Sequence, residues 1–133
     1  VKEAVSIPVI GNGDIRTVAD AKRMLAETNC DAVMIGRGLL GRPFFLTELN
    51  CAMAGKEYTE PIYEERLKLC YDYAQRLVDF EGEHNGVPMM RGMCGWYLTG
   101  MPHAAHYKNL LTQVNTLKEI EDILQEYQIL LNK

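Results

Sequence analysis

The sequence lacks the features that mark membrane, secreted and metal-binding proteins. Among its 133 residues no apolar run approaches the ~20 residues that a membrane-spanning helix needs, and no basic segment followed by an apolar one opens the chain. The four cysteines (Cys30, Cys51, Cys70 and Cys94) form no C-x-x-C pair, so the main signal of a zinc ribbon or a redox dithiol is missing. We therefore expect a cytoplasmic globular protein with reduced cysteines, no membrane segment and no metal site.

Acidic residues are also missing from one long stretch of a chain whose net charge is −4. No Asp or Glu occurs between Glu83 and Glu119, a window of 35 residues. This window holds basic and aromatic side chains: Arg91, Trp96, Tyr97, His103, His106, Tyr107, Lys108 and Lys118. A local basic and aromatic face is typical of an RNA-binding surface, although an acidic protein is a poor general binder of nucleic acid. The alternative is a weakly charged helical face that turns inward, and we expect Trp96 and Tyr97 to pack in the core.

The N-terminal part of the chain has the pattern of a β-α-β unit. Apolar runs at residues 7–10 and 32–35 predict two strands, the second buried on both faces, and a capping box at residues 17–20 opens a helix between them. This spacing predicts a parallel pair. Because two parallel strands cannot cover themselves, we expect residues 1–46 to be part of a larger α/β sheet or barrel, and this piece to self-associate through its free edges.

The rest of the chain, residues 47–133, is expected to form a helical bundle, so that the fold class is α/β followed by all-α. We expect a helix over residues 44–54, and then a long helix that begins with Thr59-Glu60-Pro61 and ends at Gly86-Val87-Pro88. Two shorter helices follow. A capping box from Thr116 to Glu119 predicts a terminal helix with Leu117, Ile120, Ile123, Leu124, Tyr127 and Leu130 facing inward.

Two glycine-rich turns follow the two predicted strands, Gly11-Asn12-Gly13-Asp14 and Gly36-Arg37-Gly38. Parallel strands place ligands at their carboxyl ends, where glycines let backbone N–H groups approach a phosphate and Arg37 offers a guanidinium fork. The alternative for Arg37 is an ion pair with Asp31 or Asp14, and Asp14 itself could simply close the turn or cap the helix. Arg42 could reach the phosphate or form an ion pair with an acidic helix face, and we expect the ion pair.

Two other site types are disfavoured by their context. Residues 36–41 match the dinucleotide fingerprint G-x-G-x-x-G, but no second strand ending in an acidic residue follows about 20 positions later. His103 and His106 stand three residues apart, as a metal pair can, but no Asp, Glu or Cys lies near them in sequence. We expect neither a dinucleotide site nor a zinc site.

Longer strings of residues resemble a known family. Residues 7–15 (IPVIGNGDI), residues 31–38 (DAVMIGRG) and Gly41-Arg42-Pro43-Phe44 resemble the tRNA-dihydrouridine synthases, as do Arg91, Trp96-Tyr97, Gly100 and Pro102 further on. The string from Met34 to Phe44 is the most specific of these. The resemblance covers essentially the whole chain, as the C-terminal part of a protein more than twice as long.

The resemblance implies a fold and an activity. Residues 1–46 would be the last βαβ quarter of a TIM-type (β/α)8 barrel that binds FMN, and residues 47–133 a helical tRNA-binding domain. The family reduces uridine in tRNA to 5,6-dihydrouridine, with NADPH as the reductant of FMN. The residues that would contact FMN, mostly at its phosphate, are Asn12, Gly13, Asp14, Gly36 and Arg37; those that would contact RNA are Arg91 and Lys108.

The same resemblance leaves this chain without a catalytic residue of its own. The family's catalytic cysteine belongs to an upstream barrel loop, and none of the four cysteines here lies in a matching motif, so we expect the isolated piece to be inactive. The sequence also departs from the family pattern, with Gly92-Met93 where Lys-His is usual, His103 where Gly is usual and Lys108 where Arg is frequent. The first of these changes removes positive charge from the RNA-binding part. The alternative function is a non-catalytic helical module that binds RNA or protein.

Overall fold

The computed structural model describes all 133 residues, in two compact units, Val1–Glu60 and Pro61–Lys133. The chain is mostly helical with one small parallel sheet of two strands. The first unit contains β1 (Ile10–Asn12), α1 (Val18–Thr28), β2 (Ala32–Met34) and α2 (Phe45–Met53), with short 3-10 helices at Lys2–Ala4 and Arg37–Leu39. The second unit contains α3 (Tyr63–Glu81), α4 (Glu83–Tyr97), α5 (Ala104–Leu111) and α6 (Leu117–Leu131).

The predicted β-α-β unit is confirmed in the first unit. Strands β1 and β2 pair in parallel with Asn12 opposite Met34, and the Thr17 side chain caps α1 by accepting from the Asp20 N–H. The first strand begins at Ile10, later than expected, because Pro8 has no N–H and the Val9 N–H donates to the Asp31 carboxylate instead of to a ladder. The expected burial of the second strand on both faces is wrong: Met34 is 55 % exposed, and Ile10 on the neighbouring strand is 63 % exposed. In both strands the exposed residues alternate with a half-buried one, so one face of the pair is open.

The core of the first unit is small. Its fully buried members are Ile15, Ala21, Phe45 and Leu49, which come from α1, α2 and the loop after β1. Half-buried apolar side chains pack around them: Val18, Met24, Val33, Ile35 and Leu39. Helix α2 belongs to this compact unit, which ends at Glu60, and the second compact unit begins at Pro61.

The second unit is a four-helix bundle around a larger core. The hairpin of α3 and α4 turns at Gly82, whose φ of 77° is a conformation that glycine adopts readily, and α6 packs against both α3 and α5. The capping box at Thr116 is confirmed. The buried core residues are Leu67, Cys70, Ala74, Val87, Met90, Cys94, Tyr97, Leu98, Met101, Tyr107, Leu111, Val114, Ile120, Leu124 and Tyr127. Leu130, expected to face inward, is exposed near the end of the chain.

The ends of the long helix differ from the expectation. Helix α3 begins after Ile62, whose N–H donates to the Glu65 carboxylate, so Thr59 and Pro61 do not start it. It ends at Gly82, and Gly86-Val87-Pro88 lies inside α4. A Cβ on Gly86 would lie 3.0 Å from the Val78 Cα, so this glycine permits close packing of α3 on α4 and does not end a helix.

Candidate functional site

The loops after β1 and β2 line one cleft in the first unit. The cleft has a volume of about 340 Å³, at the lower end of the range for small-molecule sites. Its lining residues are Asn12, Gly13, Asp14, Ile15, Arg16, Gly36, Arg37 and Gly38. All five residues that the sequence analysis assigned to a phosphate site are among them, so the structure brings these five residues together.

The parallel pairing explains why these loops meet. Asn12 and Met34 are opposite each other at the ends of their strands, so the residues that follow leave the sheet at the same edge. A Cβ on Gly38 would lie 2.3 Å from the Ile15 carbonyl oxygen, which means that only glycine allows this close approach of the two loops. Gly36 has the opposite surroundings, since a Cβ there would meet nothing within 4 Å. The backbone at Gly36 is therefore accessible to a ligand in the cleft.

The charged groups of the cleft are Arg16, Arg37 and Asp14. Arg37 donates from Nη2 to Oδ1 of Asp14 at 3.1 Å, and both side chains are 77 % exposed. Asp14 has a φ of 45° and directly follows Gly13, so it also belongs to the tight turn. An ion pair this exposed contributes ~0–1 kcal/mol, which an anionic ligand that takes the guanidinium can easily offset. The ion pair and a phosphate contact are therefore compatible roles for Arg37.

Arg42 is held away from this role, as the sequence analysis expected. Its Nη2 donates to Oε2 of Glu48 on α2 at 3.3 Å, and its guanidinium lies over the Phe45 ring at 5.2 Å from the centroid. Both contacts fix Arg42 against α2.

In the second unit, Arg91 binds the protein's own backbone. Its Nε donates to the Val114 carbonyl at 2.7 Å and its Nη2 to Oδ1 of Asn115 at 2.9 Å, which fixes the turn between α5 and α6. The Glu83 carboxylate accepts from the Leu117 N–H at the end of the same turn. Two of the guanidinium nitrogens of Arg91 therefore already donate hydrogen bonds within the protein. A phosphate contact would have to use the remaining donors of the same group.

Lys108 lies on α5 against the glycine-containing part of α4. Its Nζ donates to Oγ1 of Thr99 at 3.1 Å, and its side-chain carbons pass 3.8 Å from where a Cβ on Gly95 would be. The side chain is half-buried while the ammonium group stays at the surface.

Trp96 and Tyr97 have different surroundings. Tyr97 lies in the core, where burial, together with neighbouring Cys70 and Tyr73, raises the pKa of its phenol to about 12. The expectation that Trp96 also packs in the core is wrong, because this indole is 49 % exposed. Two neighbours on a helix point 100° apart, so only one of them can face the α3 side.

Arg66, which no sequence motif indicates, is only 8 % exposed. From α3 it donates through Nη2 to the Tyr97 carbonyl at 2.8 Å and to the Thr99 carbonyl at 2.7 Å, and so satisfies carbonyls that the end of α4 leaves without helical partners. The available signal was its position beside Leu67, at the edge of the apolar face of α3.

The structure shows neither a metal-ligand cluster nor a membrane span. No group of three His, Cys, Asp or Glu side chains is placed to hold a metal ion, and every helix is too short or too polar to span a bilayer. The four cysteines are unbridged. Cys70 and Cys94 are fully buried next to each other, and the pKa of the Cys70 thiol is raised by its hydrogen bond with Cys94 and by burial. Such thiols are unreactive.

Comparison with known proteins places this chain in a family. The family described as dihydrouridine synthase matches residues 1–132. A probable tRNA-dihydrouridine synthase of Rickettsia bellii (strain RML369-C) is 38 % identical over 128 residues, which are 96 % of this chain and 39 % of that protein. One from Mycobacterium leprae (strain TN) is 40 % identical over 120 residues, 90 % of this chain and 31 % of its own length. The chain thus spans less than half of these relatives, and it belongs to the dihydrouridine synthase family.

Proposed function

We propose that this chain is the C-terminal portion of an FMN-dependent tRNA-dihydrouridine synthase, which reduces uridine in tRNA to 5,6-dihydrouridine with NADPH as the reductant, in the cytoplasm. The family match over residues 1–132 supports the reaction class. The first unit would complete a TIM-type (β/α)8 barrel as its last βαβ quarter. The exposed apolar residues Ile10 and Met34 support this part of the proposal, because further strands and helices of a barrel would cover them.

The cleft between the two strand-end loops is the observation that carries the proposal. Its walls are mostly polar, backbone at Gly36 is open to it, and Arg37 provides an exposed cation. These features fit the phosphate end of FMN, which Asn12, Gly13, Asp14, Gly36 and Arg37 would hold. When bound, FMN supplies hydride transfer; the residues of this chain bind and orient its phosphate and enclose no ring.

The remaining parts of the proposal concern RNA and activity. The helical part, residues 47–133, would bind tRNA. Lys108 would contact the RNA, and so would Arg91 through the side of its guanidinium that does not bind Val114 and Asn115. Nothing in the cleft can donate a proton to a uracil ring at a defined position, so the 133-residue piece would be inactive by itself and would self-associate through β1 and β2.

The test uses the longer natural protein with Arg37→Ala and, as a matched control, Arg23→Ala, an exposed arginine on α1 outside the cleft. Arg37→Ala should weaken FMN binding by about 10- to 150-fold, the loss of a charge-assisted hydrogen bond of about 1.5–3 kcal/mol. Saturating FMN should restore most dihydrouridine formation, measured by the 2 Da mass increase of the nucleoside. A longer protein that never binds FMN would contradict the proposal and favour the non-catalytic helical module.

A further inference from the structure

One surface of the second unit has no explanation in the packing of the bundle. On α4, residues Met89, Gly92 and Trp96 follow each other at helical spacing, and all three are exposed. Trp96 makes no ring–ring contact, its Nε1–H donates to no group of the chain, and it is not among the side chains that pack on the core. An indole ring contributes favourable free energy mainly when it is buried or packed against a partner. The exposed position of Trp96 therefore suggests a partner outside the chain.

The helix surface beside Trp96 is open, and the segment of the chain around it contains no acidic residue. A Cβ on Gly92, one turn before Trp96, would meet nothing within 4 Å, which leaves room for a flat group over the helix. The sequence contains no Asp or Glu between Glu83, at the start of α4, and Glu119. Lys108 on α5 donates to Thr99 in the turn that follows α4, and its side chain passes Gly95, the residue directly before Trp96.

We propose that this α4 face, Met89, Gly92 and Trp96 with Lys108 beside it, stacks an unpaired nucleotide of the bound RNA. An exposed indole with a neighbouring cation is the combination that binds a base on the ring and its phosphate on the charge. The inference rests on the proposed RNA-binding role of the helical part, and it assigns a specific contact to a residue outside the Arg91 and Lys108 pair. A protein partner is less suited to it, since the apolar strip is narrow and interrupted by glycine.

The experiment uses the 133-residue chain with a fluorescein-labelled tRNA transcript and a labelled oligouridylate of about ten nucleotides. Trp96→Leu removes the ring but keeps apolar surface, Trp96→Phe keeps a ring, and Phe80→Leu is the matched control, an 85 % exposed aromatic between Asp79 and Glu81 on α3. We expect Trp96→Leu to raise Kd for oligouridylate on the order of tenfold, the scale of one lost base stack. Trp96→Phe should stay within about threefold, and Phe80→Leu should match the parent chain.

Two further readouts separate stacking from simple charge. Trp96 is the chain's single tryptophan, so RNA should quench the intrinsic fluorescence directly. The ratio of Kd between Trp96→Leu and the parent chain should be the same at about 50 and 200 mM salt, because stacking is not screened as phosphate contacts are. Unquenched fluorescence, or unchanged binding in Trp96→Leu while tRNA still binds, overturns this inference alone. If the parent chain binds neither RNA, the proposed RNA role falls with it.

Discussion

The two compact units differ in how many apolar residues they bury and in what their charged groups bind. The second unit buries fifteen core residues within 73 positions, whereas the first buries a cluster of four within 60. Their polar groups differ in the opposite direction: Arg66 and Arg91 of the second unit bind its own carbonyls, while Arg37 of the first stays exposed in an open cleft. The second unit therefore has a larger apolar core of its own, and the first leaves apolar strand residues and a charged cleft exposed.

The largest difference between the units should come from core truncation. Met90→Ala, at a fully buried position on α4, should reduce the free energy of unfolding by about 2–5 kcal/mol, because it leaves a cavity in the bundle. Met34→Ala, at an exposed strand position of the first unit, should change it by less than about 0.5 kcal/mol. Urea unfolding followed by far-ultraviolet circular dichroism gives both values. Similar losses at the two sites would mean that β2 is covered in solution.

A smaller effect is expected for the buried arginine of the second unit. Arg66→Ala should cost about 1.5–3 kcal/mol, because the carbonyls of Tyr97 and Thr99 lose a charged donor. Arg76→Ala on the exposed face of the same helix is the matched control and should stay within about 0.5 kcal/mol. The same unfolding experiment measures both variants. Equal small effects would show that water replaces the guanidinium without loss, and the second unit would then depend on apolar burial alone.

A smaller effect is expected on self-association, which we assign to the strands of the first unit. Ile10→Lys places a charge on the exposed strand β1 and should weaken self-association of the chain about tenfold, as charges on sheet edges do. Ile129→Lys, on an exposed position of α6, should leave it unchanged. Sedimentation equilibrium over a range of concentrations measures both variants. A monomeric parent chain at tens of micromolar would contradict this expectation, and the exposed strands would then be tolerated as they are.

The smallest effect concerns the N-terminal segment of the first unit and acid pH. The pKa of the Asp31 carboxyl is lowered from 3.8 by its hydrogen bond with Lys2 and by the Val9 N–H that donates to it. A carboxyl whose pKa is lower in the folded state stabilises that state above about pH 3.8, and this contribution is lost as the pH falls below that value. Exchange protection of the Val9 amide should therefore fall on acidification below pH 3.8, and Asp31→Asn should abolish this pH dependence. Glu27→Gln, an exposed change on α1, should leave it unaltered.

The sequence was informative where the cause of a structure is local. Both capping boxes involve residues three positions apart, so Thr17 and Thr116 could be assigned from the printed sequence. The meeting of the two glycine loops was also predictable, because parallel pairing places both strand ends at one edge. Gly86 and Arg66 could not be interpreted correctly, since their roles depend on Val78 and Thr99, which only the packing of α3 and α4 brings near them. The sequence around Trp96 favours a core position, because it does not tell which side of α4 faces α3.

The distribution of cysteines gives each unit its own chemical reporter. Cys30 and Cys51 lie in the first unit, and Cys70 and Cys94 lie in the second. Cys30, Cys70 and Cys94 are buried, and a buried thiol reacts with an alkylating reagent only when its surroundings open, so the reaction rates of these three record how often their regions open. Mass spectrometry of the digested protein can follow the thiols together, because each alkylated peptide gains the mass of the reagent. One sample would therefore record local opening of the cleft-bearing unit and of the helical bundle separately, at the native cysteines.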